Sequence, residues 1–562
     1  MAVTSTHVLE VLKNWANTQP NNKVWNYIND NLEITETYTY LELDKASTYL
    51  ASQLLDKYKL KAGDRALLVF FPSLSFSVSL LACFKARVIA VPVFPPDPRK
   101  LQKDLDHFVS IQKSSEAKFV LTHSSYDYAR KLTELSNMFS LKRKETWPSL
   151  QWIVVDDILS QGKLGKSSSQ SSALPPSFSD SSVAFLQYTS GSTSEPKGVV
   201  ITHGNLAHNL TLIIKELKAD RSTINVSWLP QYHDMGLIGS YLGALYCGGI
   251  GYYISPISFL KNPNIWLQAI SKFNGTHTQA PNFAYALAVR KFKEYSRDST
   301  VVAHNTTNPL SLNLAKVKHM INAAEPVDVD AIHQFYEVFR PFGLADGVVV
   351  PTYGLAEHTV FVCSDGRTVL TLDKAALESG TVSIATEELL CDRSKGKDEP
   401  SADSAREWKH RYQRIVGCGF YHKADHLSLK IVNPETCVAL DDGLVGEIWV
   451  SSPSKAAGYW NQPELSADAF QMTLKAPSSD GLAYLRTGDL GFLHNGELFI
   501  CGRQKDMIIV RGANHYPQDI ERTAEMCVGA IRAGCSAAFA IPHAKGHTET
   551  IVYVAEVSLL TK

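Results

Sequence analysis

The sequence predicts an α/β fold, with a large N-terminal domain of layered, mostly parallel sheets and flanking helices and a small α+β C-terminal domain. Its 562 residues exceed what one ordinary domain needs. Apolar residues make up 44% and charged residues 20% of the chain, which is a globular composition. Short apolar runs alternate with amphipathic runs, and this alternation favours parallel sheets covered by helices.

Two kinds of run carry this prediction. Those with the composition of buried strands are WIVVDDI, SVAFLQY, GVVITH, INVSWLP, GGIGYYI, VVVPTYG and VGEIWVSS. Those with helical spacing are ASTYLASQLL, NLAHNLTLIIKEL and NIWLQAISKF. In the second helical run, Leu206, Leu210, Ile213, Ile214 and Leu217 share one face and are expected to pack on a sheet.

The uncharged stretch from Ala66 to Phe84 raises the question of a membrane span. Pro72 lies inside it and four serines interrupt it. We therefore predict a strand (ALLVFF), a Pro-Ser turn and a short buried helix (SFSVSLLACFKA), with no membrane span. The next run, VIAVPVFPPDP, is expected to be a second buried strand that ends in a proline-rich loop.

Charge and cysteine content limit the function classes. The formal net charge of -1 gives no electrostatic case for nucleic acid as the partner. Nine cysteines occur without a C-x-x-C pair, and the first residues carry no secretory signal. Buried thiols in a reducing, cytoplasmic compartment are therefore expected. Residues 163–182 and 391–410 are polar, and we expect both to form surface loops.

A hydroxyl-rich stretch at residues 187–200, QYTSGSTSEPKGVV, lies between two predicted strands. A glycine-containing loop can turn its backbone N–H groups inward to bind an anion. Lys197 adds a positive charge, and further donors or loop residues are Thr189, Ser190, Gly191, Ser192 and Thr193. Pro196 and Gly198 flank Lys197, which excludes a Walker A loop. A polyphosphate site and a solvated Ser/Thr linker both remain open on composition alone.

Two further strings carry chemistry that suits a nucleotide. In PTYGLAEHT (351–359), Tyr353 offers an aromatic face for a purine and Glu357 a carboxylate for a hard cation. In YLRTGDLG (484–491), Asp489 can accept two ribose hydroxyl hydrogen bonds. The alternatives are an ordinary turn with a surface glutamate in the first string and a turn-capping aspartate in the second.

Taken in order, these strings resemble the signatures of the adenylate-forming superfamily, which comprises acyl-CoA synthetases, peptide-synthetase adenylation domains and luciferases. The resemblance extends over nearly the whole chain. It implies that the loop from Thr189 to Lys197 holds pyrophosphate, and that Tyr353, with Gly354, stacks on adenine. It also implies that Glu357 binds Mg²⁺ and that Asp489 binds the ribose of ATP.

The resemblance extends to two more strings. INAAEPV (321–327) resembles the strand-loop that lines adenine, with Ala323, Ala324 and Glu325, although the two alanines could equally be core packing. GRQKDMIIVRGANHYPQDIE (502–521) resembles the start of the C-terminal domain, with Arg503 contacting the nucleotide and Asp506 as the hinge. The expected domains are therefore residues 1–503 and 504–562.

Within the superfamily, the chain resembles the fatty acyl-AMP ligases. LPQYHDMGLIG (229–239) resembles their acyl-site motif, with His233 beside the activated carboxylate, although a lone histidine is more often structural. QAPNFAYAL (279–287) would place Asn282, Phe283 and Tyr285 along an acyl tunnel, the alternative being helix packing. The long spacer between the Tyr-Gly and IVGCGF strings suggests an insertion at about 364–412, which by resemblance restrains the C-terminal domain.

The resemblance implies ATP- and Mg²⁺-dependent activation of a fatty acid to an acyl-adenylate, with release of pyrophosphate. The acyl group then passes to the phosphopantetheine thiol of an acyl carrier protein or of a carrier domain in a polyketide or peptide synthase. The alternatives are a fatty acyl-CoA ligase and a catalytically impaired acyl-adenylate-binding protein. The superfamily's C-terminal catalytic lysine has no counterpart after Asp506, and truncation of the sequence is the expected reason.

Overall fold

The structure is a computed structural model that describes residues 6–97, 101–138, 147–165, 179–189, 196–299, 312–385, 411–510, 513–528, 530–542 and 549–557. Its strands are β1 Lys23–Ile28, β2 Ile34–Thr39, β3 Arg65–Leu68, β4 Ile89–Pro92, β5 Phe119–Thr122, β6 Gln151–Val154, β7 Val183–Thr189, β8 Lys197–Thr202, β9 Ile224–Ser227, β10 Ile250–Ile254, β11 His277–Pro281, β12 His319–Ala323, β13 Val349–Pro351, β14 Val369–Asp373, β15 Tyr412–Phe420, β16 Ser428–Val432, β17 Gly446–Ser451, β18 Leu485–His494, β19 Glu497–Arg503, β20 Ile508–Val510, β21 Ala513–His515, β22 Ile531–Pro542 and β23 Glu549–Val557.

The helices connect these strands. The α-helices are α1 Val8–Thr18, α2 Tyr40–Asp56, α3 Leu74–Ala86, α4 Leu101–Ser115, α5 Ser124–Met138, α6 Asp156–Lys163, α7 His203–Glu216, α8 Gly243–Cys247, α9 Pro256–Lys261, α10 Asn264–Phe273, α11 Asn282–Ser299, α12 Val329–Phe339, α13 Lys374–Glu378, α14 Pro463–Phe470 and α15 Pro517–Cys527. A π-helix covers Met235–Leu242, and 3₁₀ turns cover Arg340–Phe342, Ala356–His358, Lys423–Asp425 and Gln504–Asp506.

Three large sheets organise the chain. The first sheet has the order β13-β12-β11-β9-β10-β1-β2 and is parallel except for its edge strand β2. The second sheet has the order β6-β5-β3-β4-β7-β8 and is parallel except for its edge strand β8. The third sheet, β14-β15-β19-β18-β17-β16, is antiparallel throughout. The predicted α/β class is confirmed, and the predicted parallel strands make up most of the first two sheets.

The predicted elements are largely present. The ALLVFF stretch supplies β3, and the serine-rich apolar run supplies α3, almost all of whose residues are buried. No helix within the described ranges combines the length and hydropathy that crossing a membrane requires. The predicted strand WIVVDDI is too long, because β6 ends at Val154. Asp156 and Asp157 instead begin α6, where the positive end of the helix dipole stabilises their carboxylates.

Helix α7 shows how the local sequence positions a layer beside the site. Thr202 ends β8 and caps α7 in a reciprocal hydrogen-bonded box with Asn205. On the predicted face, Leu206, Leu210, Ile213 and Leu217 are buried and Ile214 is half-buried. The face therefore packs into the large core that the first two sheets share with their helices.

The topology of the first sheet brings several loops together. Strands β9, β11, β12 and β13 run parallel, so their carboxyl ends meet at one edge of the sheet. The HDMG, APNF, INAAEPV and PTYGLAEHT strings all begin at or follow these ends. In open α/β sheets this edge is where ligands bind.

The C-terminal part follows the Gln504–Asp506 turn. Its described residues form the hairpins β20–β21 and β22–β23, with α15 packed on β22. Arg522 on α15 pairs with Asp330 on α12 at 2.8 Å, and His515 pairs with Glu378 on α13 at 3.0 Å. Of the predicted insertion at about 364–412, β14 and α13 are described, whereas residues 386–410 lie outside the described residues.

Candidate active site

The hydroxyl-rich stretch connects β7 to β8. Thr189 and Lys197 face each other as the last pair of the antiparallel ladder, so the strands predicted on either side of the loop are confirmed. Four of the residues predicted to bind phosphate lie outside the described residues: Ser190, Gly191, Ser192 and Thr193. The phosphate-binding role of this loop stays a prediction, and of its residues the structure places Thr189 and Lys197 at the two strand ends.

A segment just before α14 pairs with the free edge of β8. Val200 N donates to Gly458 O at 2.9 Å, and Trp460 N donates to Gly198 O at 2.8 Å. The pairing places the ring of Tyr459 5.2 Å from Lys197 Nζ. The Tyr459 hydroxyl donates a 3.0 Å hydrogen bond to Glu357 Oε1. Tyr459 thus connects two predicted site residues, although nothing in its sequence surroundings singled it out.

Glu357 lies on the short turn that follows β13. Gly354 is required there, because a Cβ atom would lie 1.8 Å from Val360 O. His358 is fully buried, with Nδ1 2.7 Å from Phe361 O and Nε2 2.6 Å from Ser452 Oγ. Burial lowers the pKa of His358 to about 4, so the ring is neutral at pH 7. These contacts fix the turn that presents Glu357.

The surroundings of Glu357 are anionic. Burial raises the pKa of the Glu357 carboxyl, and the nearby charges of Asp489 and Asp234 raise it further, while the Tyr459 hydrogen bond opposes the shift. A cation placed among these carboxylates would relieve their repulsion. Among the described residues, no group of three or more His, Cys, Asp or Glu side chains could hold a metal alone. Glu357 offers one buried carboxylate, and Mg²⁺ is commonly held by one or two carboxylates plus phosphate and water oxygens.

Tyr353, Asp489 and Arg503 form a second group. The register of β18 and β19 sets Asp489 opposite Arg503, with 3.4 Å between Arg503 Nε and Asp489 Oδ1. The Tyr353 hydroxyl donates to Asp489 Oδ2 at 2.6 Å. Burial raises the pKa of Asp489, an effect that the Tyr353 hydrogen bond and the Arg503 charge partly offset. Gly488, just before it, has φ +72°, which glycine adopts without strain.

The end of β12 carries the predicted adenine-lining residues. Ala323 is buried, whereas Ala324 is exposed and has φ 72°, a strained backbone conformation that clusters at functional sites. Glu325 is exposed and accepts a 2.5 Å hydrogen bond from Phe283 N. The ends of β11 and β12 are thereby tied together at the sheet edge.

The three residues predicted along an acyl tunnel have different surroundings. Phe283 is 41% exposed and lies edge-on to Trp228, with ring centroids 6.1 Å apart. Asn282 Oδ1 accepts from Asp328 N at 3.1 Å, which caps the neighbouring loop. Tyr285 is fully buried and donates to Ile321 O at 2.8 Å. These contacts favour the helix-packing alternative for Tyr285, whereas Phe283 stays a candidate residue of the tunnel wall.

His233 lies on the loop after β9. Its side chain is 55% exposed, and Nδ1 lies 2.8 Å from Asp234 Oδ1. The Asp234 charge raises the pKa of His233. Gln187 Nε2 on β7 donates to Tyr232 O at 3.0 Å and ties this loop to the second sheet. The π-helix begins directly after Asp234, and π-helical turns are frequent at functional sites.

The described site residues therefore come from three sheets. Lys197 comes from the second sheet, Glu357 and Tyr353 from the edge of the first, and Asp489 and Arg503 from the third. Burial raises the pKa of the Glu357 carboxyl, and the charges of Asp489 and Asp234 raise it further. The aromatic ring of Tyr353 and the Glu357 carboxylate follow the carboxyl end of the parallel strand β13, and Lys197 and Asp489 come from antiparallel strands of the other two sheets. This set of a cation, carboxylates and an aromatic ring suits a polyphosphate nucleotide.

Comparisons with known proteins agree with this geometry. A family profile described as AMP-binding enzyme matches residues 12–460. The medium-chain-fatty-acid–(acyl-carrier-protein) ligase JamA of Moorena producens (strain JHB) is 36% identical over 556 residues, covering 98% of this chain and 85% of JamA. The ligase TtuA of Teredinibacter turnerae (strain ATCC 39867 / T7901), with the same stated activity, is 34% identical over 482 residues, covering 80% and 69%.

A solved structure shares the architecture. The crystal structure of a fatty acyl-adenylate ligase from L. pneumophila, in complex with acyl adenylate and pyrophosphate, is 35% identical. It matches this chain with a TM-score of 0.74 and covers 98% of this chain and 86% of its own.

Proposed function

The chain belongs to the AMP-binding enzyme family, and from that premise we propose that it is an ATP-dependent fatty acyl-AMP ligase. One observation carries the proposal. Lys197, Glu357 and Asp489, a cation and two carboxylates from separate sheets, are brought to one region through Tyr459 and Tyr353. The similar L. pneumophila enzyme is a fatty acyl-adenylate ligase, and JamA and TtuA are fatty-acid ligases, so the same substrate class is assigned to this chain.

In the proposed first step, a carboxylate oxygen of the fatty acid attacks the α-phosphorus of ATP. The bond from that phosphorus to the oxygen bridging to the β-phosphate breaks, and pyrophosphate leaves with the electron pair. The product is an acyl-phosphate anhydride on AMP. Little covalent work falls to the protein, which must align the two reactants and stabilise charge on the phosphates.

Each described residue then has a role that its surroundings support. Asp489 accepts the ribose hydroxyls, with Arg503 beside it, and Tyr353 supports the adenine end. The exposed backbone at Ala324 and the Glu325 carboxylate line the same end. Lys197 and Thr189 hold the leaving pyrophosphate at the mouth of the β7–β8 loop. The exposed His233, whose pKa the Asp234 charge raises, lies beside the fatty carboxylate in this proposal.

Glu357 is the proposed magnesium ligand. The metal would supply Lewis-acid stabilisation of the phosphate charge. Glu357 provides one carboxylate oxygen, and the Tyr459 hydrogen bond to its other oxygen, Oε1, and the turn around His358 keep the carboxylate in place. The repulsion that Asp489 and Asp234 exert on Glu357 disfavours its charged form until a cation is present.

In the proposed second step, the thiol of a carrier-protein phosphopantetheine attacks the acyl carbonyl, the acyl–oxygen bond breaks and AMP leaves. JamA and TtuA are ligases of fatty acids to acyl carrier protein, which supports this acceptor.

The boundary between residues 1–503 and 504–562, with Asp506 as the hinge, belongs to the same proposal, because the turn at Asp506 precedes two separate hairpins. The eight described cysteines are all free, which supports a reducing cytoplasm.

The test is isotope exchange between pyrophosphate and ATP in the presence of laurate and Mg²⁺, followed by addition of either CoA or a holo carrier protein. We expect exchange that depends on laurate, and an acyl-thioester on the carrier protein. Absence of laurate-dependent exchange would contradict the adenylation step. Efficient lauroyl-CoA formation would instead identify an acyl-CoA ligase.

A further inference from the structure

Tyr459 contacts two of the predicted site residues, Lys197 and Glu357, although Tyr459 itself lies in none of the predicted motifs. Its backbone bridges Val199 on the edge of β8, and its N–H donates to Ser466 Oγ at 2.8 Å. Its ring packs edge-on against Phe470, with centroids 5.1 Å apart. Backbone pairing, a side-chain hydrogen bond and ring packing therefore all fix one position for this tyrosine before any ligand arrives.

The glycine before Tyr459 belongs to the same arrangement. Gly458 has φ 138°, and a Cβ atom there would lie 2.8 Å from Ser466 Oγ. Ser466 Oγ also donates to Gln462 O at 2.6 Å, so the start of α14 closes against this segment. The chain thus uses a glycine and a serine to hold the tyrosine against β8, which indicates a precise placement.

The two ends of the Tyr459 side chain meet opposite charges. The hydroxyl donates to Oε1 of Glu357 at 3.0 Å, and the ring face lies 5.2 Å from Lys197 Nζ. An ammonium over an aromatic face is attracted by the ring quadrupole. Among the described residues, Lys197 forms no ion pair with a carboxylate. The Tyr459 side chain therefore contacts both groups, Glu357 through its hydroxyl and Lys197 through its ring.

We propose that Tyr459 is a positioning residue that sets the spacing between Lys197 and Glu357 for the metal-bound triphosphate of ATP. The inference rests on the proposed function, because it assigns Glu357 to the metal and Lys197 to the leaving pyrophosphate. One oxygen of Glu357 accepts from the tyrosine, and the other is left to the cation. Lys197 is held by an uncharged ring, so its charge stays available to phosphate oxygens.

The experiment measures equilibrium binding of two ligands to the full chain by calorimetry. One ligand is the magnesium complex of the non-hydrolysable ATP analogue AMPCPP, and the other is AMP, which lacks the β- and γ-phosphates. Tyr459→Phe keeps the ring and removes the hydroxyl. We expect the Kd of the Mg–AMPCPP complex to rise about tenfold, while the Kd of AMP changes less than about twofold, because AMP lacks the phosphates that Lys197 and the Glu357-bound metal are proposed to hold.

A matched control separates position from chemistry. Tyr484 also donates to a carboxylate, Asp480 Oδ2, at 2.6 Å, and it lies outside the site. Tyr484→Phe should leave both dissociation constants unchanged. Tyr459→Leu removes the ring as well, and we expect a further loss of Mg–AMPCPP affinity, together with weaker pyrophosphate binding, since Lys197 loses its support.

A double-mutant cycle tests whether Tyr459 acts through Glu357. If it does, adding Tyr459→Phe to Glu357→Gln should cause little further loss of Mg–AMPCPP affinity. A loss that is equal for AMP and Mg–AMPCPP, no loss at all, or fully additive losses in the cycle would overturn the inference. Failure of the proposed function is a different result, namely a wild-type chain that neither binds Mg–AMPCPP nor exchanges pyrophosphate.

Discussion

The two ends of the site are built in different ways. At the nucleoside end, the register of the neighbouring strands β18 and β19 pairs Asp489 with Arg503, and one hydrogen bond joins Tyr353 of the first sheet to Asp489. The phosphate end, defined by Lys197, Glu357 and Tyr459, joins an edge strand, a turn after β13 and a segment before α14. Two of the three residues at the nucleoside end are therefore paired within one sheet, whereas every contact at the phosphate end joins separate parts of the chain.

This difference predicts how each end responds to substitution. A residue held by strand register can change chemistry without moving its neighbours, so effects at the nucleoside end should be local. Residues that hold one another across segments should show coupled, non-additive effects. Substitutions at the two ends should also separate by ligand, since AMP reports on the nucleoside end and Mg–AMPCPP reports on both.

The largest effect is expected for Glu357→Gln at the phosphate end. The amide keeps the shape but loses the charge that holds the cation, so laurate-dependent pyrophosphate exchange should fall about 10²- to 10³-fold. Binding of AMP should change little. Glu464→Gln, at an exposed position on α14, is the control. A fall of less than about threefold would refute the assigned role of Glu357.

Lys197→Ala should rank second. The side chain is half-buried, so solvent screens part of its charge, and we expect exchange to fall about 10- to 50-fold. Lys197→Arg should lose less, because it keeps the charge over the Tyr459 ring. Lys261→Ala, an exposed lysine on α9, serves as control. Unchanged exchange in Lys197→Ala would remove the lysine from the phosphate end.

Asp489→Asn probes the nucleoside end. The neutral amide gives up charge-assisted acceptance of the ribose hydroxyls, so the Kd of AMP should rise about tenfold. Mg–AMPCPP should weaken by a similar factor, because both ligands carry the ribose. Asp442→Asn, on an exposed turn, is the control. If only Mg–AMPCPP weakened, Asp489 would belong to the phosphate end, and the division between the two ends would be wrong.

The smallest effect concerns pH and His358, which supports the turn of Glu357. Its pKa is lowered to about 4 in the folded chain, so the unfolded chain binds more protons below pH 6.5 and stability falls as pH falls. Between pH 7.5 and 6.0 the loss is about 0.8 kcal/mol from this group. Urea unfolding measures it, and His358→Gln should reduce the pH dependence. A pH dependence identical to that of the wild type would exclude this contribution.

The sequence predicted the nucleoside end better than the phosphate end. Tyr353, Asp489 and Arg503 lie within strings whose chemistry is visible locally, and the structure brings them together. The sequence did not indicate a site role for Tyr459, because that role depends on its pairing with β8, a contact between residues far apart in the chain. For Tyr285, which its motif predicts along an acyl tunnel, the fully buried ring and the hydrogen bond to Ile321 O favour the helix-packing alternative.

For the fold, the sequence predicted individual strands and helices better than the pairing between strands. Buried strands and amphipathic helices have strong periodicity in the sequence. Helix α10, for example, begins at Asn264 and ends at Phe273, as the run NIWLQAISKF predicts. The antiparallel pairing of the third sheet and the edge position of β8 depend on partners that periodicity does not reveal. The segment from Ser190 to Thr193, whose composition first suggested a phosphate site, lies outside the described residues.

The central claim is that this chain makes a fatty acyl-adenylate. Mass spectrometry of the products formed from laurate, ATP and Mg²⁺, with no acyl acceptor present, tests it most directly. We predict lauroyl-AMP and pyrophosphate in equal amounts from the wild-type chain, and far less of both from Glu357→Gln. A wild-type chain that yields no lauroyl-AMP while it binds both laurate and ATP would contradict the account.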